Sequence, residues 1–185
     1  ANDSRYAGNV KLPQSFAQRL VSFYFDYPAA DDELLIVDQI VAEECKALDV
    51  VPISAKRYII ELMREMRSNT YPLSVRNAAI AVVLCNLELL QRSGQSWLQS
   101  DSHFANAQNA ESARRYIAKR ILGTEPGSVL DLTDMRIVEF ERFVSMIGVE
   151  NFKAIILQSF MYYLDVDLGF YDLQMMKEKI SSSII

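Results

Sequence analysis

At Pro28 the hydrophobic pattern of this chain changes period. Upstream, "LVSFYFDY" (residues 20–27) is a dense apolar and aromatic run. Such a run, closed by a proline, reads as one β-strand. Downstream, apolar residues recur about every 3.6 positions, the spacing of amphipathic helices. One strand cannot stand alone, because its backbone donors and acceptors need partners. Residues 20–27 are therefore expected to pair with strands supplied by an earlier part of the polypeptide or by another molecule. The opening "ANDSRYAGNV", without an initiator Met, reads as the start of a fragment.

The remainder is expected to be helical. Only 6 Gly and 5 Pro interrupt 185 residues, half of them hydrophobic, which favours helix over a turn-rich β architecture. In 31–48, Leu34, Val37, Val41, Cys45 and Leu48 fall near one side, flanked by Ile40. Asp31, Asp32 and Glu33 fill the first turn, where negative charge suits the helix dipole. The helix 54–69 is expected to be capped by Ser54 and to bury Ile59, Leu62, Met63 and Met66. The helix 74–94, from Ser74 to Gly94, is apolar almost all round between Ala78 and Leu90 and should be central. Further helices are expected at 110–122, at 133–147 (capped by Thr133, ended by Gly148), at 150–164 and at 170–180. The weakly periodic 95–109 reads as a boundary or long loop.

A formal net charge of −5 argues against non-specific binding to nucleic acid or anionic membranes. No run of roughly 18 apolar residues is present to span a membrane. The polar start Ala1-Asn2-Asp3-Ser4 is not that of a signal peptide. Cys45 and Cys85 lie within apolar helical patterns and read as buried reduced thiols of a cytoplasmic protein, although two cysteines could also pair.

Four pieces in order resemble one family. Ala1-Asn2, Gln18-Arg19-Leu20, "FDYP" (25–28) and "DDELLIV" (31–37) look like the second half of the nucleotide-binding module of MoxR-type AAA+ ATPases. The rubisco-activase-like and gas-vesicle-associated subgroups are the most similar. "PLSVR" (72–76) stands where that family opens a lid helix with Leu-Ser-Pro-Arg. The resemblance covers about residues 1–93. It implies that 1–30 is the end of an α/β core, 31–94 a helical lid and 95–185 an additional helical domain without an assigned role. The implied fold class is mainly α, with one N-terminal strand.

The resemblance also implies roles. Asn2 would be the polar sensor that orients the attacking water. Arg19 would be the arginine finger reaching a neighbouring subunit's nucleotide in a homo-oligomeric ring. Arg76 would be the lid arginine that touches the phosphates. ATP hydrolysis builds negative charge that positioned cations stabilise. The chain departs from the family at Gln18-Arg19-Leu20, where Asp-Arg-Phe is usual, and at Val75, where proline is usual. It has no G-x-x-x-x-G-K-[S/T] loop, so ATP and Mg would be held mainly by residues outside it, and alone it should not hydrolyse ATP. "LLIVDQ" (34–39) mimics a magnesium-holding strand but continues into a helical pattern. The implied activity is ATP-driven remodelling of a partner protein. The alternative is a non-enzymatic all-helical protein–protein interaction module.

The remaining candidates have plainer readings. His103, the only histidine, reads as a surface residue, and no nucleophile–base pair suggests an independent hydrolase. "DVD" (165–167) lacks the glycine and glutamate of a calcium loop. In "RRYIAKR" (114–120), Arg114, Arg115, Lys119 and Arg120 read as a solvent face. Phe160, Met161, Tyr162, Tyr163, Phe170, Tyr171, Met175 and Met176 read as core.

Overall fold

The computed structural model describes residues 26–45, 49–67, 73–92, 110–123, 131–161 and 170–184. Among the described residues seven helices form, in this order: α1 (Ala30–Cys45), α2 (Ile53–Met66), α3 (Val75–Arg92), α4 (Ala110–Leu122), α5 (Met135–Ile147), α6 (Val149–Met161) and α7 (Phe170–Ser183). The protein is mainly α, as its period implies. The expected strand lies outside the described residues up to Phe25, and Asp26 and Tyr27 are in irregular backbone. Asn2, Arg19, His103 and "DVD" also lie outside them.

The central helix is α3, which packs against α1, α2, α5 and α6. Its nearly all-round apolar sequence requires this, since each face needs a partner. Ala78, Ala79, Ala81, Val82, Cys85 and Leu89 are buried. The expected stripe of α2 is buried too, Ile59, Leu62, Met63 and Met66 all being inside. Beyond α3, α2 meets α4 and α5, and α6 meets α5 and α7. One hydrophobic cluster runs from Val37 in α1 to Ile184, drawing on residues either side of position 94.

Aromatic rings join three helices at its centre. Tyr58 of α2 lies 4.4 Å from Phe140 of α5, and Phe152 of α6 lies about 6 Å from Tyr58, Phe140 and Phe143. Such tilted and edge-on pairs contribute beyond simple area burial. Phe160 is buried and Met161 packs on the core, whereas Met175 is half exposed.

Two caps fall elsewhere than expected. Ser54 lies inside α2, whose N-cap is Pro52 without a side-chain cap bond. The Ser54 hydroxyl instead donates to Glu139 Oε2 of α5 at 2.6 Å. Asp134, not Thr133, caps α5, its carboxylate accepting from the Arg136 backbone N–H at 2.8 Å. Thr133 is engaged one turn earlier, donating from both its backbone N–H and its hydroxyl to Asp131 Oδ1. Gly148 ends α5 at φ 88° and Gly123 follows α4 at φ 72°, left-handed conformations that glycine adopts without a Cβ penalty.

Cys85 is buried and Cys45 partly so, both as free thiols. Burial, with the nearby Glu88 charge, pushes the Cys85 thiol well above its ordinary value, so it packs as a small hydrophobe.

Candidate functional site

Arg76 sits in the first turn of α3 and is exposed. Its neighbour Asn77 turns inward. Asn77 Oδ1 accepts from the Ser74 backbone N–H at 2.9 Å and its hydroxyl at 3.1 Å, and Nδ2 donates to the Ser159 carbonyl of α6 at 3.0 Å. Asn77 therefore fixes the start of α3 against α6 and leaves Arg76 pointing outward. Among the described residues the Arg76 guanidinium has no ion-pair partner. A cation in a first turn opposes the helix dipole, so this position disfavours Arg76 slightly without offsetting contacts there.

The same end of the bundle receives the chain from residue 26 onward. Glu33, fully buried, accepts from Arg67 Nη2 at 2.6 Å and Arg64 Nη1 at 3.1 Å. Arg64 Nη1 also donates to the Pro28 carbonyl at 2.8 Å. Arg67 Nε donates to the Leu73 carbonyl at 2.8 Å, and its guanidinium lies 3.8 Å over the Tyr27 ring. These bonds tie Tyr27 and Pro28, the C-terminus of α2 and the approach to α3 into one unit. Arg76 stands three residues beyond Leu73.

A second polar cluster surrounds Arg120 of α4, and it corrects the solvent-face reading of 114–120. Arg115 and Lys119 are exposed, but Arg120 is only 2% exposed. Its guanidinium donates to Glu65 Oε2 at 2.7 Å, the Tyr58 hydroxyl at 3.1 Å, the Ser183 carbonyl at 3.0 Å and the Tyr116 hydroxyl. It also lies 3.7 Å over the Tyr116 ring. Burial works against its charge. The Glu65 bond and carboxylate, with both phenols, outweigh that and hold the guanidinium above its already high ordinary value.

Lys56 repeats the theme in α2. It is buried and bonds Asp38 of α1 and Asp49, each at 2.5 Å. Burial opposes its charge, and the two aspartates raise its pKa nonetheless. A cleft of about 290 Å³ opens at the start of α2, lined by Ile53, Ser54, Arg57, Ile121, Arg136 and Glu139. Both of its arginines are paired, Arg57 with Asp31 and Arg136 with Asp134. Among the described residues no group of three His, Cys, Asp or Glu is placed to hold a metal ion, and no helix is long and apolar enough to cross a membrane.

Of the residues singled out for nucleotide chemistry, Arg76 alone falls among the described residues. Sequence reasoning missed Glu33, Lys56 and Arg120 as buried charges. Each occupies the register of an apolar stripe: 33, 37, 41 in α1; 56, 59, 63 in α2; 117, 120, 121 in α4. A charge on such a register is the signal that could have found them. No family model, curated protein or solved structure matches the chain.

Proposed function

We propose that this chain is the C-terminal part of a MoxR-like AAA+ ATPase that couples ATP binding and hydrolysis to remodelling of a partner protein. In this reading it works in the cytoplasm as part of a homo-oligomeric ring. ATP and Mg are held mainly by a phosphate-binding segment outside the chain. Arg76 reaches the phosphates from the lid, Arg19 reaches the nucleotide of the neighbouring subunit, and Asn2 orients water.

The observation that supports this most is the position of Arg76. It is exposed and without an ion-pair partner among the described residues, at the bundle end where Tyr27 brings in the chain from residues 1–25. A cation there can meet charge developing on a phosphate bound by the preceding module. The Glu33–Arg64–Arg67 unit would carry a change at Tyr27 and Pro28 directly to the start of α3.

The test joins this chain to its phosphate-binding segment and measures ATP turnover. Arg76→Ala should lower kcat by roughly a hundredfold or more, the usual cost of one positioned charge donor. Arg19→Ala should lower it by roughly a thousandfold. Activity of the Arg19→Ala protein should partly return on mixing with subunits that keep Arg19 but cannot bind ATP. Full activity in both variants, or no nucleotide-dependent activity at all, refutes the proposal.

The hydrophobic core continuous from α1 to Ile184 favours a second reading, a non-enzymatic helical module that binds a partner protein. It predicts that the joined polypeptide neither binds nor turns over ATP.

A further inference from the structure

Arg67 ends α2 and reaches in three directions. It is the C-cap of that helix, its backbone N–H donating to the Met63 carbonyl at 2.9 Å and the Arg64 carbonyl at 3.3 Å. The side chain thus starts from a fixed base. At its far end Nη2 donates to Glu33 Oε1 of α1 at 2.6 Å and Nε to the Leu73 carbonyl at 2.8 Å, while the face of the guanidinium lies 3.8 Å over the Tyr27 ring.

A guanidinium is planar and rigid. Its face contact and its edge bonds therefore cannot adjust independently. If the Tyr27 ring tilts, the plane that follows it swings Nε–H off the line to the Leu73 carbonyl, and hydrogen bonds weaken steeply as they bend. The next residue, Ser74, is held by Asn77 through its backbone N–H and hydroxyl, and Asn77 is anchored on the Ser159 carbonyl of α6. A displacement at Leu73 accordingly falls on the short stretch 73–76, which ends in the exposed Arg76.

We propose that Arg67 is a positioning residue for Arg76, through which the segment entering at Tyr27 regulates where the Arg76 guanidinium stands. The inference rests on the nucleotide reading of Arg76 and adds the control of that site. A lysine in place of Arg67 keeps a charge beside Glu33 but has no plane through which to link Tyr27 to Leu73.

Two measurements test it. In the polypeptide joined to its phosphate-binding segment, Tyr27→Leu and Arg67→Lys should each lower kcat by roughly ten- to a hundredfold, as small misplacements of a positioned group do. Added to Arg76→Ala, each should change kcat by less than about twofold, because the group it positions is gone; general damage to the fold would lower kcat equally in both backgrounds. In the chain alone, Tyr27→Leu should shift the amide NMR signals of Leu73, Ser74 and Arg76, and should shift them far less in the Arg67→Lys background. Tyr27 is half exposed, so Tyr27→Leu leaves the core intact and decides the matter if Arg67→Lys does not fold. The inference is overturned if Tyr27→Leu keeps full kcat, lowers it equally with and without Arg76, leaves the amides of 73–76 unmoved, or moves them as far in the Arg67→Lys background. An unaltered joined polypeptide without ATP turnover refutes the nucleotide reading of Arg76, and the amide shifts alone then uphold or overturn the link from Tyr27 to residues 73–76.

Discussion

Replacing Glu33 by Gln removes a charge on which two arginines converge. The isostere keeps volume and one acceptor, so the loss is electrostatic. In the native chain the fully buried carboxylate takes Arg67 Nη2 at 2.6 Å and Arg64 Nη1 at 3.1 Å. After substitution Arg64, one third exposed, can rehydrate. Arg67, whose side chain is 9% exposed, cannot, and meets a neutral amide oxygen in place of the carboxylate, beside the Leu73 carbonyl, the Met63 sulfur and the Tyr27 ring. Breaking a buried pair by removing one partner costs about 3–5 kcal/mol. Rehydration of Arg64 places this case at the low end, about 3 kcal/mol. For a chain of this size that lowers Tm by roughly 6–12 °C. The comparison is Asp31→Asn, which breaks the Arg57–Asp31 pair at 2.6 Å, where Asp31 is 79% exposed. An exposed pair contributes at most about 1 kcal/mol. Urea denaturation of the three proteins, with m unchanged, reads the difference as a shift in midpoint. If Glu33→Gln costs no more than Asp31→Asn, the buried carboxylate does not organise this end of the bundle.

Asn77→Ala should cost about 2 kcal/mol, because it strands the Ser159 carbonyl and the Ser74 N–H; chemical denaturation measures it, and a neutral result would show that water replaces both bonds. Phe152→Ala should cost about 3–5 kcal/mol by opening a cavity among Tyr58, Phe140 and Phe143, and Phe152→Leu much less; equal losses would place the ring outside the load of the core. The Arg136 side chain and backbone bonds to Asp134 lower its carboxyl to about 2, below the unfolded aspartate value of about 3.9. Stability from this cap is present above the unfolded value and lost as pH falls through about 2. Asp134→Ala should therefore melt below the unaltered chain at neutral pH, with the gap closing between about pH 4 and pH 2, as Tm against pH will show.

Periodicity alone determined the helical class, the central place of α3 and the buried stripe of α2, because each follows from how apolar residues repeat along one chain. An all-round apolar segment from Ala78 to Leu90 has no choice but the middle. Caps were legible only to within a residue or two: Ser54 and Thr133 have the right chemistry, but Glu139 and Asp131 compete for their hydroxyls. Arg76 was legible as a cation at the start of a helix, while its exposure depends on Asn77 binding Ser159, 82 residues away. Tertiary structure likewise decided the fate of the charges. The apolar register separates Glu33 from Asp31 and Asp32, and Arg120 from Arg115, but it does not say which groups offset the charge there. A charge enters a core only where its partners converge, and the charged partners of Glu33 and Arg120, with the Ser183 carbonyl, lie 31 to 63 positions distant. Sequence spacing reports which face a residue occupies; which distant groups meet it there is set by the packing of the whole chain.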